Sequence, residues 1–293
     1  VKLSGDGNAG STGYVLEPYL ETKDRGINFF TDDSLFEEVE KFDRMGRGVT
    51  IHATGDAAVR QMIDAVERVK EKHGELKARH QIGHASMVHP RDVGRLKSLD
   101  LTAEFSPVVW FATDFVKAQI PQIGEDRMRY WYPMRSIAMD GGRFVIASDG
   151  PLMWQDTFGR LESAITRVAP DGATEPLAPH EAVDLTVALK SMTLDSAYLM
   201  NIEEEVGSIK VGKLADMIVL DRNLFDIPAR EISESTVLLT ILDGMVVFDA
   251  KSSPSGEEAI EKRYDVDLDF TGVNGHPCCE WHTTQLRRND RKK

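Results

Sequence analysis

The sequence predicts an α/β fold built on a parallel sheet, followed by a small antiparallel β-domain. Three observations carry this expectation. Short apolar runs alternate with amphipathic helical runs as far as residue 200, the pattern of repeated strand–crossover–strand units. Five of the strand-like runs carry or end on residues of a different kind from their apolar interiors: Lys2, His52, His84, Ser106 and Asp149. From Gly207 the texture changes to Met217–Leu220 and then Val237–Leu242, Asp243-Gly244 and Met245–Phe248. The last reads as a β-hairpin, because Asp-Gly suits the tight turn between antiparallel strands.

Val1–Leu3 opens the chain as a strand. Gly5, Gly7 and Gly10 then spell G-x-G-x-x-G, a dinucleotide-binding pattern that requires a helix to start within it. Gly13, Pro18 and Gly26 break up the next stretch of chain, and no helical period begins before Leu35. A glycine-rich loop is expected there, which argues against a nicotinamide-dependent oxidoreductase. Ser34–Met45 reads as a short amphipathic helix. Val49, Thr50 and Ile51 lead to His52 at the end of a strand, and apolar residues from Ala57 to Val69 recur at helical steps through 56–73. Asp56 is expected to be the N-cap of that helix.

In Arg79–Ala85, His80, Ile82 and His84 alternate, so they are expected to share one strand face. His84 falls at the strand end, and His80 lies one pleat deeper in a supporting or core role. Pro90 opens a helix over 90–98. Leu101–Phe105 is a strand, Ser106-Pro107 ends it, and an irregular aromatic stretch runs through Trp110, Phe111, Tyr130, Trp131 and Tyr132. A helix over 133–140 stops at Gly141-Gly142, and Arg143–Asp149 is a buried strand with Asp149 at its end. Helices follow at 156–168, 179–190 and 193–200.

The net charge of −13 argues against nucleic acid as a partner. No apolar run approaches the ~18 residues that span a bilayer, so no membrane partner is expected. Cys278 and Cys279 are the only cysteines. Neighbours seldom bridge each other, which suits a reducing, cytoplasmic setting. His276, Cys278, Cys279 and His282 lack the spacing of a zinc site, and residues 251–293 read as an irregular tail with a basic end. The chain begins at Val rather than Met, so a fragment or processed product is expected, with an N-terminal segment missing or a homo-oligomer completing the fold.

Two histidines and an aspartate at three strand ends fall on the rim where parallel α/β folds do chemistry. Imidazoles and a carboxylate are donors that zinc prefers, and a catalytic site keeps a position open for water. Trp110, Tyr130 and Trp131 either line an apolar substrate pocket or pack beneath a long loop; position alone leaves both open.

V-K-L-S-G-D-G, H-A-T-G-D-A-A-V, R-H-Q-I-G-H-A and A-S-D-G-P, in that order, resemble the amidohydrolase superfamily, and more closely amidohydrolase family 3 (YtcJ-like). G-S-I-K-V-G-K-L-A-D-M-I-V-L-D and L-L-T-I-L-D-G-M-V-V-F resemble its C-terminal signature. The resemblance implies the C-terminal part of a distorted TIM barrel, strands four to eight, over residues 1–205. Part of a β-sandwich would follow over 206–250. It implies Lys2 as a carboxylated lysine bridging two metals, His52 and His84 as further ligands, and Asp149 as both ligand and general base. The activity implied is hydrolysis of an amide or other C–N bond of a small N-acyl or N-formyl substrate, with one or two divalent ions, zinc by preference. Two departures stand out. Gly83 replaces the glutamate of the family's I-E-H, and no His-x-His of the first strand occurs in the chain. The second departure favours a rival expectation, a non-catalytic amidohydrolase-like binding or regulatory protein, or an inactive fragment.

Overall fold

The computed structural model describes residues 1–150, 156–170 and 172–252. The predicted tail and its Cys/His group therefore lie almost wholly outside the described residues. Five parallel strands form one sheet: β1 (Lys2–Ser4), β2 (Thr50–Ala53), β3 (Gln81–His84), β4 (Thr102–Phe105) and β5 (Arg143–Ile146). They are hydrogen-bonded in chain order, with β1 and β5 at the edges. Parallel crossovers are right-handed, so strands laid down in sequence carry their helices to one side. The result is an arc of the kind a barrel closes, not a sheet covered on both faces.

The register shows which side is which. Leu3, Ile51, Ile82, Ala103 and Phe144 form one row across the five strands. Four of these are buried and Leu3 packs against the same core. This row meets the helices. The opposite face carries Lys2, Thr50, Gln81, Thr102 and Arg143 in one row and Ser4, His52, Gly83, Glu104 and Val145 in the next. The period of two thus sorts an apolar face from a mostly polar one.

The outer layer begins with α1 (Asp32–Arg44), which packs on α2 (Asp56–His73). The helix starts two residues before the predicted Ser34, because Thr31 and Ser34 form a reciprocal capping box. Ala58, Val59, Met62, Ile63, Val66 and Val69 make the buried stripe of α2. Its N-cap is Gly55, not the predicted Asp56. Asp56 is the first helical residue and accepts a bond from Leu16 N at 2.9 Å. The first-turn amides of Ala57 and Ala58 instead donate to the Tyr14 carbonyl, at 3.1 and 3.2 Å. Only glycine admits that approach, since a Cβ on Gly55 would lie 2.0 Å from Tyr14 O.

Then come α3 (Pro90–Ser98), α4 (Asp114–Ile123), α5 (Glu125–Met128) and α6 (Met134–Met139). Helices α4 and α5 correct the expectation of an irregular stretch there. Pro121 lies inside α4 and Gly124 separates the two, which hides the helical period. After β5 come α7 (Thr157–Thr166), a 3₁₀ turn at Pro179–Glu181, α8 (Leu185–Met192) and α9 (Leu194–Leu199). The predicted helix 179–190 is thus a turn and a separate helix. A second, antiparallel sheet of β6 (Met217–Leu220), β7 (Val237–Leu242) and β8 (Met245–Asp249) follows. Asp243 and Gly244 both have positive φ, 49° and 76°, as the predicted hairpin turn requires. Among the described residues no helix is long and apolar enough to cross a membrane.

Replacing Gly55 with Ala is expected to lower stability by ~1–3 kcal/mol, seen as a lower urea midpoint. An unchanged midpoint would mean that the Tyr14 segment moves aside freely.

Candidate active site

The C-terminal ends of β1 to β4 and the loops after them converge on His52 and His84. The two rings lie edge to face, centroids 4.3 Å apart. His52 is in register with Gly83 on the polar face of the sheet. His84 pairs with the core residue Ala53, and simple alternation would turn its ring toward the helices. It reaches His52 because the chain leaves strand geometry there: φ is 68° at His84 and 41° at Ala85. The expectation that His80, Ile82 and His84 share a face fails for this reason. His80 does belong to the core. Its Nδ1 accepts from Val49 N at 3.1 Å and its Nε2 lies 3.1 Å from Asp43 Oδ1 beneath α1.

Each site imidazole is held by a backbone carbonyl, and this settles which nitrogen carries the proton. His52 Nε2 donates to Gly7 O at 3.1 Å, which leaves Nδ1 without its hydrogen. His84 Nδ1 donates to Ser106 O at 3.0 Å, which leaves Nε2 without its hydrogen. Burial holds both rings below the ordinary histidine range. For His52 the nearness of His84 adds to the effect. Both are therefore neutral at pH 7, the form that ligates metals or accepts protons.

Lys2 and Asp149 act on both rings through charge, Lys2 opposing protonation and Asp149 favouring it. The four residues singled out in the sequence thus share one electrostatic neighbourhood. Lys2 is exposed on the edge strand. Asp149 is partly exposed and sits at φ 55° just beyond β5. Among the described residues, however, no three His, Cys, Asp or Glu side chains stand together as a group able to hold a metal ion.

Three further residues support this rim, of which sequence reasoning singled out only Ser106, as a strand end. Asp6, 3% exposed, accepts from Thr54 N (3.0 Å), Gly55 N (2.8 Å) and Tyr14 N (3.0 Å), and from the Thr54 hydroxyl at 3.3 Å. Its Oδ1 lies 3.6 Å from His52 Nε2. Ser106 orients His84. Glu104 lies beside Gly83, its carboxyl pushed up by burial. A charged residue inside the apolar run Leu101–Phe105 was the available signal for Glu104.

The aromatic candidates separate. Trp110 and Trp131 are 0% and 1% exposed, and their indole N–H groups donate to Ser163 Oγ (2.9 Å) and Val109 O (2.8 Å). They pack edge-on around Tyr132, whose hydroxyl donates to Ser106 O at 3.1 Å. Both side chains lie in the core behind the site. Tyr130 is 41% exposed.

The Amidohydrolase family profile matches residues 1–248. The chain belongs to this family. It is 27% identical over 251 residues to Protein LONG AFTER FAR-RED 3 of Arabidopsis thaliana, covering 85% of this chain and 42% of that protein. It is 27% identical over 228 residues to the N-substituted formamide deformylase of Arthrobacter pascens, covering 78% and 41%. A solved structure described as an uncharacterized metal-dependent hydrolase from Pyrococcus horikoshii superposes with a TM-score of 0.67 at 26% identity, covering 78% of this chain and 45% of that one. The chain thus spans less than half the length of these relatives. The resemblance of the ordered motifs holds, and the parallel arc corresponds to part of a barrel-like amidohydrolase fold.

Burial pushes the Asp6 carboxyl up to about 7, against the hydrogen bonds that favour its anion. Between about 4 and 7 the folded state then keeps a proton that the unfolded chain has released, so stability falls as pH rises through that window. Asparagine does not titrate. The stability advantage of wild type over Asp6→Asn is therefore expected to be larger at pH 5 than at pH 7, by ~2 kcal/mol in urea unfolding. A gap that widens with pH would mean that the four donors hold the ionised form.

Proposed function

We propose that this chain carries the Lys2, His52, His84 and Asp149 part of a metal-dependent hydrolase for amide or related C–N bonds. The observation that carries the reading is the pair of imidazoles. Each is pinned by a backbone carbonyl on one nitrogen, and each keeps the other nitrogen free, Nδ1 of His52 and Nε2 of His84. Metal-ligating histidines are characteristically held in this way. The donor set therefore fits a divalent ion, zinc by its chemistry, although the described residues do not yet form a three-ligand group. A carbamate on Lys2, formed with carbon dioxide, would turn a cation into an anionic oxygen donor and suit a second ion.

When bound, the metal would polarise a scissile carbonyl and lower the pKa of a water to about 7. The chain's own residues do the rest. Asp149 takes a proton on its carboxylate and returns it to the departing nitrogen. His52 and His84 stay unprotonated and so do not compete for that proton. The deformylase relative supports N-acyl or N-formyl compounds as the small-molecule substrates, and two adjacent cysteines suit a cytoplasmic setting. A binding protein without catalysis is the rival, favoured by the absence of a three-ligand group among the described residues.

The test is elemental analysis of the full-length chain, followed by assay against N-substituted formamides and N-acyl amines. Bound zinc or a similar ion is expected, with activity lost to a chelator and restored by metal. Asp149→Asn is expected to reduce kcat by about 10²- to 10⁴-fold. Metal uptake without turnover would favour the binding protein. An Asp149→Asn variant at wild-type rate would remove Asp149 from the chemistry.

A further inference from the structure

The parallel ladder between β1 and β2 runs past the strand ends and then changes partners. Thr50 N donates to Val1 O at 2.7 Å, and Gly5 N to His52 O at 2.9 Å. In an evenly spaced parallel ladder the next donor is Thr54 N and the next acceptor is Gly5 O. That carbonyl is taken by Phe29 N at 3.0 Å. Thr54 N turns instead to the Asp6 carboxylate, 3.0 and 3.1 Å from its two oxygens. The Thr54 side chain makes a second link to the same loop. Its hydroxyl lies 2.7 Å from Gly7 O and 3.3 Å from Asp6 Oδ2, so the carbonyl is the nearer acceptor for its one hydrogen. Gly7 O is also the acceptor for His52 Nε2, at 3.1 Å. Two side chains at the end of one strand thus donate to a single oxygen. Thr54 is buried and the loop closes tightly on it: a Cβ on Gly13 would lie 2.6 Å from Thr54 Oγ1.

We propose that Thr54 is the positioning residue of His52. A peptide plane beside glycine turns easily, and a swing of the Gly7 carbonyl would take away the acceptor that holds the His52 ring. The Thr54 amide and hydroxyl grip the consecutive residues Asp6 and Gly7 at two points, which fixes the direction of the Gly7 oxygen. That oxygen keeps the His52 proton on Nε2 and so keeps Nδ1 open. The catalytic meaning of this role rests on the hydrolase reading above, but the role itself concerns the geometry of His52 and can be measured without turnover.

The experiment uses the full-length chain labelled with ¹⁵N-histidine, free of metal, at pH 8, where both site imidazoles are neutral. Ring ¹H–¹⁵N correlation spectra report the tautomer of each histidine. Wild type is expected to show His52 as the pure Nε2–H form. Thr54→Val keeps the branched shape and removes the hydroxyl. It is expected to give a mixture of both His52 tautomers, to leave His84 in its single Nδ1–H form, and to weaken cobalt binding by about 10- to 100-fold. Thr54→Ser keeps the hydroxyl and is expected to restore the single tautomer and the affinity. If Thr54→Val does not fold, Gly13→Ala takes its place: its methyl would push the hydroxyl off Gly7 O and is expected to give the same mixture. An unchanged His52 tautomer in these variants would overturn the proposal. So would a Ser variant as defective as Val, because packing of the methyl and not the hydroxyl would then be what matters. Mixed tautomers at His84 as well as His52 would also overturn it, since the whole rim would then have loosened. Failure of wild type to take up cobalt would overturn the hydrolase reading, and the tautomer spectra would still decide this one.

Discussion

The rim of this sheet depends on one buried carboxylate. Asp6 follows β1 by two residues, yet its acceptors are filled from the end of β2 and from the excursion between them. Hydrogen bonds to a charged group each contribute roughly 1.5–3 kcal/mol, and several are needed to offset the burial of that group. The consequences are geometric. Thr54 and Gly55 are fixed just beyond His52. The chain around Tyr14 is folded back over the start of α2, where its carbonyl takes the place of a side-chain cap. A polar turn that would otherwise be a mobile loop becomes the frame of the site.

The two imidazoles show a second constraint. Both are oriented by main-chain oxygens, Gly7 O and Ser106 O, so their tautomers follow from the loop conformations and not from a neighbouring acid. The loops must then be rigid. The one at β4 is stiffened by Tyr132, whose hydroxyl bonds the same Ser106 carbonyl and receives a bond from Ser86 Oγ at 3.0 Å. Behind it, fully buried Arg167 donates to the carbonyls of Trp131 and Tyr132. Burial lowers that guanidinium to about 9, a measure of how strongly the core opposes its charge. The buried tryptophans serve this same support, which is why they are absent from any open surface.

Local periodicity explains what the sequence made legible. The strand and helix around His52, the Pro90 helix and the Asp-Gly hairpin depend on neighbours within a few residues, and their signals are written there. The orientation of His84 is not, because two left-handed residues cancel the alternation on which the expectation rested. Asp56 has the composition of an N-cap, but its carboxylate is drawn away by Leu16, 40 residues earlier in the chain. The roles of Asp6 and Glu104 were hidden for a related reason. Their partners lie on other strands, and register across a parallel sheet cannot be counted along one chain. The gap at Gly83 was visible as a departure from I-E-H, but the carboxylate that leans into it comes from the next strand of the sheet.

The charges around His52 and His84 are balanced in one direction. Burial lowers both imidazoles and raises Glu104, and the nearness of Asp149 adds to the second effect. Every one of these shifts favours the neutral group. A buried cluster of this kind is costly when its acids ionise and costs little when its bases lose their protons. A divalent cation reverses only the first half of that statement: it stabilises nearby carboxylates as anions and still requires the histidines unprotonated. The fold supplies ligand-ready histidines in advance.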